Sequence, residues 1–277
     1  MNCGRFCLPL NRPLVMGILN LTPDSFSDGG RFTSVDKVLS VAESMIENGV
    51  DIIDIGAEST RPGSEVVDEK IEWNRIKEVL PHIFKMRVPV SIDSRKPYVM
   101  GKALSSGVDM INDVSGFQLD ETLKLVKDCS SDNTGFCIMH MQGNPQNMQD
   151  SPRYGDVVAE VEYFLMQRHE VLLSLGVKKE NLLIDPGFGF GKTKVHNLEL
   201  LGSISRLKKI APVLVGLSRK RLIAEMSLRD CLPNDRLGGS VAAAIWTVLQ
   251  GASVVRVHDV KETVDALRVF NKLIENK

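Results

Sequence analysis

Residues 182–192 read LLIDPGFGFGK, and the architecture of the chain follows from what this stretch must do. Residues 182–184 form an apolar run long enough for a buried strand and too short for a helix. Pro186 removes a backbone donor and stops the strand, which leaves Asp185 at its C-terminal tip. Gly187, Gly189 and Gly191 alternate with Phe188 and Phe190, so the loop can bring backbone and rings close to a ligand. A buried carboxylate beside aromatic rings suits a flat heterocycle with adjacent N–H donors. Two phosphate motifs fail here on spacing. Gly191-Lys192-Thr193 ends like a Walker A loop, but Pro186 occupies the position of its first glycine, and Lys192 takes the last slot of G-x-G-x-x-G.

Working outward, the same sequence of apolar strand and polar end recurs along the chain. Further strands are expected at residues 13–20, 51–56, 88–93, 108–113, 135–141, 212–217 and 252–257. Helices are expected from Ser34, at 68–86, from Pro97, at 119–128, 154–175, 197–209 and 240–250. A last amphipathic helix carries Val260, Val264, Leu267, Phe270 and Ile274. Eight β-then-α units with uniform apolar strands predict an α/β fold, a single (β/α)8 barrel spanning residues 1–277 as one domain. A doubly wound open sheet is the alternative, but it would gather polar residues at one switch point instead of after nearly every strand.

Composition narrows the function. The 277 residues are 43% hydrophobic and 25% charged, as in an ordinary globular protein able to bury a large core. Thirty-four basic residues balance 35 acidic ones, which argues against nucleic-acid or membrane partners. No apolar run approaches the ~20 residues of a membrane span. The start, MNCGRFCLPL, lacks a signal peptide's apolar core, so the cytoplasm is the expected location. Five scattered cysteines read as free thiols.

In a barrel the C-terminal strand ends meet at one mouth. Here they carry Asn20, Asp54, Glu58, Asp93, Asn112, His140, Asp185, Lys220, Arg256 and His258. Asp93, Asn112, Asp185 and Lys220 supply acceptors and donors for a flat polar heterocycle such as a pterin. Arg61, Arg256 and His258 can hold an anion such as a phosphate. Asn20 offers an oxygen to a hard cation such as Mg2+, which usually keeps several waters. His140 reads equally well as a satisfied barrel histidine. No nucleophile-and-base order is visible.

The stretches MGILNLTPDSFSDGG, DIGAESTRPG, SIDSRKP, INDVSG, IMHMQGNP, IDPGFGFGK, LVGLSRK and RVHDVKET resemble those of the bacterial dihydropteroate synthase family, from Leu14 to the last helix. The resemblance implies condensation of a dihydropterin methyl diphosphate with p-aminobenzoate, releasing pyrophosphate, with Mg2+ as cofactor. It implies a pterin pocket of Asp93, Asn112, Met139, Asp185, Gly216 and Lys220. It implies that Asn20, Arg61, Arg256 and His258 meet the diphosphate, with Asn20 on the metal, and that Asp93, Lys220 and Arg256 serve catalysis. For p-aminobenzoate it implies Phe26, Thr60, Pro62, Phe190, Ser218 and Lys220, with Arg221 as a further holder of the carboxylate. Two loops, around Phe26 and Pro62, are expected to close once pyrophosphate and Mg2+ bind. A homodimer is implied, and the apolar helix at 240–250 is a candidate for its interface. Arg221 and Arg95 depart from the usual family residues, the latter reading as a surface change. The rivals are a corrinoid methyltransferase on the same kind of barrel and a catalytically silent pterin-binding paralogue.

Overall fold

The computed structural model describes residues 1–21, 34–59, 63–228 and 230–275. The chain opens with a hairpin, β1 (Asn2–Cys3) against β2 (Phe6–Cys7). Eight parallel strands follow: β3 (Leu14–Asn20), β4 (Ile52–Gly56), β5 (Val90–Asp93), β6 (Met110–Asp113), β7 (Gly135–Met139), β8 (Leu182–Asp185), β9 (Leu214–Val215) and β10 (Val254–Val257). Their order is β8-β7-β6-β5-β4-β3-β10-β9. A parallel bridge between Ile184 and Val213 joins the two ends, with the Ile184 N–H donating to the Pro212 carbonyl at 3.1 Å. The sheet is therefore closed into the expected (β/α)8 barrel, and the open doubly wound alternative is excluded.

Around it run α1 (Ser34–Glu47), α2 (Glu69–Ile83), α3 (Pro97–Ser105), α4 (Asp120–Asp128), α5 (Val157–Ser174), α6 (Lys194–Leu201), α7 (Ile204–Leu207), α8 (Arg221–Ser227), α9 (Leu237–Leu249) and α10 (Val260–Glu275). The caps explain where helices begin. Asp68 accepts from the Lys70 and Ile71 N–H groups ahead of α2, and Asp156 accepts from Ala159 ahead of α5. Three expectations shift. The helix expected at 197–209 divides into α6 and α7 at Gly202, a residue that favours helix ends over interiors. The helix expected to reach residue 86 gives way to a 3-10 turn, Phe84–Met86, closed by Arg87 in the left-handed region at φ 54°. The short helix α8 was not foreseen, because its polar start offers little helical periodicity.

Side chains alternate along each strand, and the alternation builds the site. Ile53, Ile55, Val90, Ile92, Ile111, Ile138, Ile184 and Val215 join the layer packed under the helices. Their neighbours Met16, Ile52, Met110, Cys137, Leu183, Leu214 and Val254 form a separate cluster that fills the lower barrel. Two residues further along the same faces stand Asp54, Asn112, Met139, Asp185, Gly216 and Arg256. Apolar layers thus end one step below the mouth, where four of these six positions carry polar side chains.

The lower end is plugged by the hairpin. Cys3 packs into the lower cluster, and Arg5 Nη2 donates to Asp109 Oδ2 at 2.7 Å. Gly4 has φ 54°, and a Cβ there would lie 2.6 Å from Asp109 Cα, so only glycine permits this approach. All five cysteines are free, and burial pushes the thiols of Cys3 and Cys137 up, which makes them poor nucleophiles.

Candidate active site at the barrel mouth

Arg256, on β10, crosses the upper barrel. Its Nε donates to Asp54 Oδ2 and its Nη2 to Asp93 Oδ2, both at 2.6 Å. Asn112 Nδ2 donates to the same Asp54 oxygen at 3.3 Å. Burial opposes the Arg256 cation, yet the two carboxylates outweigh it and hold its proton above the usual range. Burial pushes the Asp93 carboxyl up to about 7, against the opposing pull of Arg256. Three buried acceptors in this cluster, Asp54 Oδ1, Asp93 Oδ1 and Asn112 Oδ1, have no donor among the described residues. Buried acceptors in native proteins are normally paired, so this concentration marks a place for a donor-rich ligand.

Asp185 ends β8 opposite Met139, its register partner on β7. Its Oδ1 accepts from the Gly187 N–H at 2.7 Å, and burial raises its pKa against the lowering influence of Lys220. Lys220 Nζ donates to the Phe188 carbonyl at 2.6 Å and lies 4.5 Å from the centre of the Phe190 ring. Burial lowers the Lys220 ammonium to about 8, with Asp185 opposing the shift. His140 is buried, and its Nδ1 lies 2.9 Å from Lys192 Nζ. It is therefore engaged with the 187–192 loop, in line with the barrel-histidine reading.

Ser218 and His258 meet across β9 and β10. Ser218 Oγ accepts from the His258 N–H at 3.1 Å and stands 3.1 Å from His258 Nδ1. Between Ser218 and Lys220, Arg219 adopts φ 60°, rare for a side-chain-bearing residue. Its conformation is enforced by a fork to Asp259 (Nε to Oδ2 at 3.0 Å, Nη2 to Oδ1 at 2.5 Å) and by Nη1 donating to Asn234 at 2.7 Å. Arg221 begins α8 with its side chain 88% exposed and paired to Glu225 on its own helix. Gly216 faces Arg256, whose Cβ would lie 3.8 Å from a Cβ placed there.

Asn20 Oδ1 and Asp93 Oδ2 both lie 3.8 Å from the place a Cβ on Gly56 would take. The described residues contain no cluster of three or more His, Cys, Asp or Glu side chains able to enclose a metal. The single neutral oxygen of Asn20 fits a hard cation that keeps most of its waters, and does not fit a closed structural metal site. Phe26, Thr60, Arg61 and Pro62 lie outside the described residues, and so do the two expected loop closures.

The base of the second loop is held by a buried ion network that sequence reading assigned differently. Lys96 Nζ donates to Glu58 Oε1 at 2.9 Å and to Glu72 Oε2 at 2.6 Å. Ser94 Oγ donates to Glu72 Oε1 at 2.6 Å, and Arg95 Nε reaches Glu58 Oε2 at 3.3 Å. Arg95 is thus a half-buried partner of Glu58, where a surface change was expected. Glu58 is spent on this anchor instead of facing the mouth. Asp54 was named among the strand ends but placed in neither pocket; the structure makes it the inner partner of Arg256. Its sequence signal is a lone carboxylate inside the apolar run DIIDIG.

The family described as "Pterin binding enzyme" matches residues 16–258. The dihydropteroate synthase of Haemophilus influenzae is 45% identical over 95% of this chain and 95% of its own length. The Xanthomonas albilineans dihydropteroate synthase solved with 4-aminobenzoic acid superposes with TM-score 0.89 at 45% identity, covering 96% of this chain and 95% of that one. The Burkholderia cenocepacia dihydropteroate synthase complexed with 7,8-dihydropteroate gives TM-score 0.90 at 42% identity, over 100% and 96%. With the mouth residues in the places described above, this chain belongs to the dihydropteroate synthases of the pterin-binding enzyme family.

Proposed function

We propose that the chain transfers a (7,8-dihydropterin-6-yl)methyl group from its diphosphate to the amine of p-aminobenzoate, giving 7,8-dihydropteroate and pyrophosphate. The observation that carries this reading is the trio of unpaired buried acceptors beside Asp185 and Lys220, a pattern that suits the N–H edge of a pterin. The Burkholderia structure named above was solved with 7,8-dihydropteroate and the Xanthomonas one with 4-aminobenzoic acid, which supports both halves of the reaction.

In this mechanism Asp93, Asn112, Met139, Asp185, Gly216 and Lys220 hold the pterin. The C–O bond to the diphosphate breaks with its electron pair on oxygen, leaving a pterin methylene cation. Asp93 stabilises that cation electrostatically when ionised. The arylamine nitrogen then forms the new N–C bond and sheds a proton, and no protein nucleophile is needed. Arg256 is engaged by Asp54 and Asp93, so a diphosphate has to win it from carboxylate partners. That exchange would place Arg256 on the leaving group and free Asp93 for the cation. His258 and Arg61 complete the anion grip. Asn20 would hold Mg2+, a group that would supply charge neutralisation to the leaving pyrophosphate. Phe190, Ser218 and Lys220, with Phe26, Thr60 and Pro62, receive the p-aminobenzoate. Arg221 would have to leave Glu225 to join them.

The deciding assay is pyrophosphate release. It is expected to require both organic substrates and to fall on chelation of divalent cations; release without p-aminobenzoate would overturn the transfer reading. We also propose a homodimer in the cytoplasm. No described helix is long and apolar enough to cross a membrane. Trp246 and Leu249 on α9 and Val269 and Leu273 on α10 are each more than half exposed, an apolar face that suits a second copy. Light scattering should report twice the chain mass, and a monomer mass at micromolar concentration would remove the proposal.

A further inference from the structure

Lys192 closes the 182–192 stretch and belongs to neither proposed pocket, although its Nζ holds the backbone carbonyl of Phe190. It is nevertheless the only buried lysine or arginine among the described residues, with 3% of its surface exposed. Burying an ammonium is costly unless every donor is used, so a loop that merely turned the chain would have no reason to carry one. Lys192 Nζ lies 2.9 Å from His140 Nδ1 and donates to the carbonyls of Gly187 at 3.0 Å, Phe190 at 3.0 Å and His140 at 3.3 Å. His140 is a fit partner. Burial, helped by Lys192, lowers its pKa to about 3, so the imidazole is neutral and accepts at Nδ1.

Every carbonyl from Gly187 to Gly191 is engaged. The Gly187 and Phe190 carbonyls go to Lys192, that of Phe188 to Lys220, that of Gly189 to Gln149 and that of Gly191 to the Tyr154 hydroxyl. Gly187 and Gly191 have φ of 68° and 62°, and side chains there would strike the carbonyls of His140 and Gln142. The loop is therefore pressed onto the end of β7, with Lys192 as the pin. Two carbonyls meet the ammonium, and of the two between them that of Phe188 meets Lys220 and that of Gly189 meets Gln149. The Phe190 ring comes to rest against the same Lys220 cation.

We propose that Lys192 is a positioning residue for the arylamine half of the reaction: by gathering the Gly187 and Phe190 carbonyls it sets the Phe188 carbonyl and the Phe190 ring that fix Lys220 between the two substrate pockets. This rests on the transfer reaction proposed above. The pterin contacts at Asp93 and Asn112 sit on strand ends with no bond to the pin, and Asp185, though it accepts from the Gly187 N–H, is held in place by its own strand β8. Loss of the pin should therefore separate the two substrates. Burial also lowers the Lys192 ammonium to about 7, against Asp185 and reinforced by Lys220. A neutral amine has only two donors for these acceptors.

The test uses the full-length enzyme and the variants Lys192→Met and Tyr154→Phe, the latter removing one outer tie of the same loop. Lys192→Met is expected to raise KM for p-aminobenzoate at least tenfold while changing the affinity for 6-hydroxymethylpterin, read by calorimetry, less than threefold. Hydrogen exchange in the peptide covering residues 187–191 should accelerate. Tyr154→Phe should move the same quantities in the same direction by a smaller factor, and it decides the matter if Lys192→Met does not fold. Equal loss of both affinities would mean a general structural role and would overturn the proposal. So would unchanged p-aminobenzoate KM or unchanged exchange. An inactive wild type with pterin binding intact would instead reject the transfer reaction, and the exchange measurement would still judge the pin.

Discussion

Replacing Arg256 with methionine is expected to lower turnover by a factor on the order of 100 to 1,000, the usual range for removing a charge stabiliser from a developing oxyanion. It should also reduce folding stability by about 3–5 kcal/mol, because it leaves Asp54 and Asp93 buried without their cation. The two effects have different sources and can be separated. Adding Asp93→Asn removes one of the uncompensated carboxylates, so the double variant should regain stability without regaining turnover. A pH signature accompanies them. Arg256 is what holds the Asp93 pKa down to about 7 against burial, so removing it raises that pKa. The acid limb of kcat/KM should then move to higher pH, since the carboxylate form is the one the mechanism uses. Denaturant unfolding and a pH–rate profile check both expectations; an acid limb left in place would detach Asp93 from the rate.

Asp185→Asn is expected to weaken pterin affinity by roughly 10- to 150-fold, the equivalent of about 1.5–3 kcal/mol for a hydrogen bond to a charged group. Asp185 Oδ1 already accepts from the Gly187 N–H, a bond the amide oxygen of asparagine can keep. The fold should therefore survive. What changes is the second oxygen, replaced by an NH2 that offers a donor where the ligand presents donors. Lys220 loses a supporting negative charge at the same time, so its already lowered pKa should fall further. Calorimetry with 6-hydroxymethylpterin reads the affinity directly. An unchanged dissociation constant would take Asp185 out of the pocket.

Much of this site was legible before any coordinates. Each strand announces itself as a short apolar run with a polar group at its tip or within three residues of it, because a parallel barrel buries its strands on both faces and opens only at the tips. The alternation along DIIDIG and VDMIND even says which side chains point inward, since a strand's period is two. Asp93, Asn112, Asp185, Lys220 and Arg256 could therefore be assigned to one mouth from local pattern and motif. Pattern could not assign partners. Arg256 meets Asp54 and Asp93 across separations of 202 and 163 residues, and those pairings depend on the strand register and on the Ile184–Val213 closure. The same holds for Lys192, which in sequence resembles the tail of a failed phosphate motif and in the barrel becomes a buried pin under Lys220. Glu58 and Arg95 likewise looked like a mouth carboxylate and a surface change, and tertiary packing turned them into one anchor. Residue type and period are written locally and fix strand, face and chemistry; which charge neutralises which is settled only when closure brings distant strand ends within hydrogen-bond reach and burial makes every unpaired group costly.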